Sequence, residues 1–337
     1  MSTNEQYGRK DPLSLKDEYF AGMTWGWTGV RGTWVASEAE RSMEAMAERL
    51  GVNWTAISFG ALQDHPQATE IKFAEEPTVT DDEVRGAIRK AQSLGLKVVL
   101  KPVVNCRNGT WRAHINFFDI DVPCEPKWSD WFASYTRFIL HYARIAEETG
   151  TDMLCIGCEM VQTDRREREW RQLIADVRGV YSGPITYNCD KYQENQVAWW
   201  DAVDVISSSG YYPIDDWEAQ LDRIEPIVRA FGKPFFFMEA GCPSREGSPY
   251  VPNDWGLEGA PSEQAQADWY DAAFAACDAR PWVQGFMLWD WPPKLYAPED
   301  AAGNDDYCMF AKKAEPIVRD YYAKRLREAA SSQTAEQ

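Results

Sequence analysis

The 337-residue chain carries 35 Lys and Arg against 53 Asp and Glu, a formal net charge of −18, with 45% hydrophobic and 26% charged residues. That composition excludes a disordered or fibrous chain, and the negative excess opposes phosphate backbones and anionic membranes, so neither a nucleic acid nor a membrane is an expected partner. The opening segment MSTNEQYGRKDPLSLKDEYF holds no apolar leader core, and no stretch approaches the roughly 18 apolar residues of a membrane span, so a cytoplasmic protein is expected.

After a polar lead over residues 1–17, Phe20 to Trp25 reads as a first strand, followed by a Gly-rich loop carrying Trp27 and Arg31. Ser37 is placed to cap a helix through Leu50, with Glu38 and Glu40 in its first turn. Trp54 to Phe59 is a second strand. Thr80 to Glu83 has the spacing of a capping box and opens a helix through Leu94, and Leu96 to Val104 is a third strand. Residues 107–127 lack periodicity and are expected to lie over the top of the sheet.

Ser129 to Thr149 has helical periodicity, and Met153 to Glu159 is a fourth strand. A helix over Asp164 to Val180, a strand over Pro184 to Cys189, a short helix over Gln193 to Trp200 and a strand over Val203 to Ser208 follow. Asp216 to Phe231 reads as a helix, Phe235 to Glu239 as strand seven, Ser262 to Asp278 as a helix and Val283 to Trp289 as strand eight. The last helix spans Lys312 to Ala329, and residues 331–337 form a polar tail. Eight strands alternating with helices, with no internal linker, predict an α/β fold: a single-domain (β/α)8 TIM barrel over residues 18–330.

Two of the apolar runs end on one acid each. Phe235-Phe236-Phe237-Met238 runs into Glu239, and Met153-Leu154-Cys155-Ile156-Gly157-Cys158 runs into Glu159. Ligands gather beyond the carboxyl ends of barrel strands, so both charges face a site. Two carboxylates across a sugar can divide glycoside cleavage, one protonating the leaving oxygen and the other attacking the anomeric carbon, at about 5 to 5.5 Å apart in the retaining version. Lys101, buried in strand three, is expected to meet a catalytic carboxylate, a sugar hydroxyl or a structural ion-pair partner.

The Cys155-x-x-Cys158 spacing is read as structural, because residues three apart on a strand point to opposite faces. The chain's His are only His65, His114 and His141, so no second ligand pair completes a metal site, and no metal or cofactor is expected. The eight Cys are expected to stay reduced. Asp290, Asp305 and Asp306 read as subsite contacts or, in preference, as solvated loop charges.

Acids after strands four and seven, Tyr after strand six and an aromatic residue after strand eight resemble the clan A retaining glycoside hydrolases. Within the clan, the TWGW loop (Thr24 to Trp27), LKP (Leu100 to Pro102), GCEM (Gly157 to Met160), FMEAG (Phe237 to Gly241) and LWDW (Leu288 to Trp291) are most similar to glycoside hydrolase family 113. That resemblance implies a β-1,4-mannanase or manno-oligosaccharide hydrolase able to transglycosylate, with mannan-like oligosaccharides or polysaccharides as partners, Glu159 as acid/base and Glu239 as nucleophile. It implies a Trp289 platform under the sugar and a contact to the nucleophile from Tyr211 or Tyr212. Trp25, Trp27 and Trp291 are candidates for further subsites. The clan usually places Asn before the acid/base to hold the sugar 2-hydroxyl, whereas this chain has Cys158, so Asn105 or Asn188 is expected to supply that contact. The alternatives are a hydrolase of another β-glycan, glucan or xylan, and a carbohydrate-binding barrel without catalysis.

Overall fold

Eight apolar runs pair side by side in chain order and close on themselves, β1 (Phe20–Trp25), β2 (Trp54–Gln63), β3 (Lys97–Cys106), β4 (Met153–Cys158), β5 (Ile185–Cys189), β6 (Val205–Ser209), β7 (Phe235–Glu239) and β8 (Val283–Trp291), in the computed structural model, which describes residues 15–335. All pairings are parallel and β8 returns to β1, so this is the expected (β/α)8 barrel. Among the described residues seven α-helices ring it: α1 (Ser37–Leu50), α2 (Asp81–Ser93), α3 (Trp128–Thr149), α4 (Glu167–Arg178), α5 (Trp217–Phe231), α6 (Glu263–Asp278) and α7 (Ala314–Ala335). Most of the expected polar lead falls outside the described residues, and α7 runs on to Ala335, into the stretch expected as a tail.

The strands are apolar because parallel barrel strands are buried on both faces. Inward-facing Phe20, Trp54, Val99, Met153, Val205, Phe236 and Met287 fill the barrel, with Phe20 stacked on Phe236 at 4.4 Å. A larger apolar layer lies between strands and helices. Below the mouth the interior turns polar, and Lys101, Asn188, Ser207 and Glu239 are buried there.

Three local expectations are corrected. Ser37 is the first residue of α1 and not its cap, since Ala36 holds that position without a side-chain bond. The stretch expected as a helix between β5 and β6 contains only two 3-10 turns, Glu194–Gln196 and Trp200–Ala202. Buried Glu194 replaces the helix as the anchor, accepting from Ser208 at 2.6 Å and Tyr212 at 3.0 Å and pairing with Arg223 at 2.7 Å.

Third, Cys155 and Cys158 do not face opposite ways. A register irregularity between them on β4 turns both toward the barrel interior, as one extra residue in a strand does. They remain free thiols, and among the described residues no group of His, Cys, Asp or Glu is arranged to hold a metal ion. No described helix is long and apolar enough to cross a membrane.

The capping box is present as expected: Glu83 N–H donates to the Thr80 hydroxyl at 3.2 Å and Thr80 N–H to Glu83 at 2.8 Å. Glu83 also accepts the backbone N–H groups of Gly32 and Trp34, which ties the β1 loop to α2. Thr80→Ala is therefore expected to lower the unfolding free energy by about 1 kcal/mol, read as a shifted urea midpoint with unchanged slope.

Candidate active site

Glu239 ends β7 and is 3% exposed. Beyond it, Gly241 allows β7 and β8 to close together, because a Cβ there would sit 2.4 Å from the Trp289 carbonyl. The carboxylate is held by three side chains, from two strands and a loop. Lys101 of β3 bonds to Oε1 in a buried ion pair, the Cys158 thiol of β4 donates to the same oxygen at 3.2 Å, and Tyr211 donates its hydroxyl to Oε2 at 2.8 Å. Arg112 adds positive charge nearby.

Burial alone would push the Glu239 carboxyl up. The charges of Lys101 and Arg112, with the hydrogen bonds from Lys101 and Tyr211, outweigh it and hold the carboxyl below its ordinary value. Glu239 is thus an ionised, aimed carboxylate. Burial, and then the charge of Glu239, raises Tyr211 well above the ordinary phenol range, and burial does the same for the Cys158 thiol, so both stay protonated as donors.

Glu159 follows β4, three strands away around the ring, and is 7% exposed. Its backbone takes a left-handed conformation (φ 53°) and its N–H donates to the Asn188 carbonyl at 2.8 Å, which turns the chain sharply out of the strand. Arg112 bonds Oε2 at 2.8 Å and Ser209 donates to Oε1 at 2.7 Å. The same guanidinium reaches the Cys158 carbonyl and sulfur and Asn105 Oδ1 at 2.9 Å. Arg112 and Cys158 therefore link the two carboxylates into one network.

Both carboxylates line one cavity of about 720 Å³ at the carboxyl ends of the strands. Its walls include Trp27, Asn105, Trp111, Asp190, Lys191, Tyr211, Trp255 and Trp289. Trp289 packs edge-on against Trp27 with ring centroids 5.3 Å apart, and Lys101 lies 5.7 Å from the centre of the Trp289 ring. A paired-carboxylate cleft with an aromatic wall suits a neutral, ring-shaped, hydroxylated ligand.

The model of Glycoside Hydrolase Family 113 matches residues 23–312. The chain belongs to this family. Solved GH113 relatives cover it closely: a β-1,4-mannanase is 54% identical over 91% of this chain and 99% of its own, with a TM-score of 0.90. The GH113 β-mannanase AaManA from Alicyclobacillus acidocaldarius, in complex with ManMIm, is 45% identical over 91% and 98%, with a TM-score of 0.88. A β-glucuronidase of an uncultured Clostridium species is 16% identical over 91% of this chain and 50% of its own, TM-score 0.62, and shares the barrel alone. No curated protein matches. This GH113 chain is a glycoside hydrolase.

Within this GH113 barrel the structure sorts the sequence candidates. Glu159, Glu239, Trp27, Asn105, Tyr211 and Trp289 line the cavity. Lys101 and Asn188 lie beneath it, bonded to each other at 2.8 Å, and Lys101 also to Glu239. Asn188 cannot be the sugar contact, because it is fully buried and its amide is spent on Lys101, Ser209 and the Cys189 carbonyl. Tyr212 is displaced too: its hydroxyl goes to Glu194, leaving Tyr211 as the partner of Glu239. Trp25 packs on Trp34 in the core, and Trp291 is buried with its indole N–H on the Ser42 carbonyl at 3.0 Å, so neither reaches the cavity.

Asp290 is not a solvated loop charge. It is 9% exposed, and burial, with the charges of Asp306 and Glu239, pushes it up to about 7. Sequence reasoning missed Arg112, Ser209, Trp111, Asp190, Lys191 and Trp255. Arg112 sits in the aperiodic 107–127 stretch, which also holds Arg107 and Lys127, so nothing in the sequence singles it out.

Proposed function

We propose that this chain cleaves β-1,4-mannosidic bonds in mannan and manno-oligosaccharides by double displacement, with Glu239 as nucleophile and Glu159 as acid/base. The observation that carries the reading is the state of Glu239: a buried carboxylate kept ionised by Lys101 and Tyr211, in the same cavity as a second carboxyl three strands away. In the first step a Glu239 oxygen forms a bond to the anomeric carbon while Glu159 passes its proton to the leaving oxygen. Arg112 and Ser209 are placed to stabilise the Glu159 carboxylate left behind. In the second step Glu159 takes a proton from water, which attacks the same carbon and frees Glu239.

Mannose is favoured over glucose or xylose by the mannanase relatives and by Cys158. Where the clan usually has Asn, a thiol 3.2 Å from the nucleophile leaves a smaller, weaker donor beside the place of the sugar 2-hydroxyl, which is axial in mannose. Of the two amides expected to meet that hydroxyl, Asn105 is the one at the cavity wall. The eight unpaired cysteines support a reducing, cytoplasmic setting, in which short oligosaccharides are the accessible substrate.

Proton NMR of fresh product from mannotetraose tests the reading, and the β-anomer is expected first. Initial release of the α-anomer would sink the double displacement, and binding of mannan without new reducing ends would favour a non-catalytic barrel.

A further inference from the structure

The turn that carries Glu159 is held by β5 at two successive peptide groups. Glu159 N–H donates to the Asn188 carbonyl, and the next N–H, that of Met160, donates at 3.1 Å to the hydroxyl of Tyr187, one residue earlier on β5. The Tyr187 hydroxyl in turn donates to Asp164 Oδ1. Burial, then the charge of Asp164, raises Tyr187 well above the ordinary phenol range, so the hydroxyl stays a donor. The far side of the turn is closed as well. The Met160 carbonyl accepts the N–H and the hydroxyl of Thr163 at 2.7 and 2.8 Å, and the Asp164 carbonyl accepts the Trp199 indole N–H at 3.0 Å.

Tyr187 and Asp164 are 0% and 1% exposed and lie behind the cavity, not among its lining. The Tyr187 ring reaches across β4 at Gly157, two residues before Glu159, where a Cβ would sit 2.8 Å from that ring and 2.9 Å from the ring of Trp170. Trp170 and Trp199 pack against the same ring, with centroids 5.1 and 4.9 Å away. A glycine at this point of the strand therefore lets the hydroxyl arrive at Met160.

We infer that Tyr187 and Asp164 are positioning residues for Glu159, a buried pair that fixes the backbone of the acid/base from behind the cleft. The inference rests on the mannanase reading and adds to it what aims the proton donor. Arg112 and Ser209 grip the carboxyl end of Glu159, but the other end of the side chain starts from a backbone at φ 53°, which residues with a Cβ rarely adopt. Such a conformation persists only where its surroundings over-determine it. The series from Met160 N–H through the Tyr187 hydroxyl to Asp164 supplies that constraint, each bond polarising the next in a site closed to water. Without it the peptide after Glu159 can rotate and draw the carboxyl off the leaving oxygen.

The test compares kcat/KM of the full-length chain on mannotetraose, whose leaving sugar needs a proton, and on 4-nitrophenyl β-mannobioside, whose leaving group does not. Tyr187→Phe keeps the ring packing and removes the hydroxyl. It is expected to lower kcat/KM for mannotetraose by about 100-fold, the scale of a misplaced catalytic group, and that for the aryl substrate by no more than about threefold. Asp164→Ala is expected to show the same selective loss in smaller measure. Asp164→Asn, which keeps an oxygen to accept the Tyr187 hydroxyl, should return most of it. Asp164→Ala and Asp164→Asn decide the matter if Tyr187→Phe does not fold. Equal losses on the two substrates, or an unchanged ratio in every folded variant, would overturn the positioning role while leaving the mannanase reading intact. A wild-type chain that cleaves neither substrate would overturn both.

Discussion

Glu239→Ala is expected to reduce turnover of manno-oligosaccharides by roughly 10⁴-fold or more, the scale on which loss of a covalent nucleophile is felt. Azide separates this from a collapse of the site. With 4-nitrophenyl β-mannobioside, azide can enter the space vacated by the carboxylate and attack the sugar directly, so the rescued variant should form the α-glycosyl azide. In Glu159→Ala the aryl leaving group departs without a proton, the intermediate on Glu239 still forms, and azide should capture it as the β-glycosyl azide. The reverse pattern would exchange the roles of the two glutamates. An unchanged rate in Glu239→Ala would remove the mechanism altogether.

The second large effect belongs to Lys101. Lys101→Met strips the buried Glu239 carboxylate of its ion-pair partner, and breaking such a pair from one side destabilises by roughly 3–5 kcal/mol. The pH dependence follows from the direction of the Glu239 shift. Its folded pKa is depressed below the ordinary glutamate value of about 4.3, so the stability it contributes is present above that pH and is lost as pH falls through the folded value. Without Lys101 the folded pKa rises, and the acid limb of kcat/KM should move to higher pH. Lys101→Met combined with Glu239→Gln should recover much of the stability, because no uncompensated charge remains. An acid limb that stays in place in Lys101→Met would show that the ammonium does not set the ionisation of the nucleophile.

The barrel was legible because its strands announce themselves: runs such as Phe235 to Met238 are apolar on both faces, and β1 and β7 span the residues their patterns indicate. The two glutamates were legible for the same reason, as lone charges closing apolar runs. What the pattern could not carry was anything decided by contacts distant in the chain. Sixteen Trp look alike in sequence. Only the packing separates Trp289, on the cavity wall, from Trp25 and Trp291 in the core.

Strand periodicity also misplaced Cys158, because a local irregularity in β4 is invisible to a two-residue repeat. Arg112 and Ser209 escaped notice since a loop without period and a serine run carry no directional signal. The missing helix between β5 and β6 was replaced by a buried glutamate and its hydrogen bonds, an anchor that exists only once distant strands have met.

The left-handed backbone at Glu159 sets durability against turnover at a single position. Such a conformation disfavours any side chain with a Cβ by about 1–2 kcal/mol, and glycine alone adopts it freely. An engineer screening for heat resistance would meet relief here, and accepting it would delete the group proposed above to deliver the proton. This barrel keeps a small permanent handicap at one corner of its mouth, and selection for survival alone would erode catalysis first at that corner.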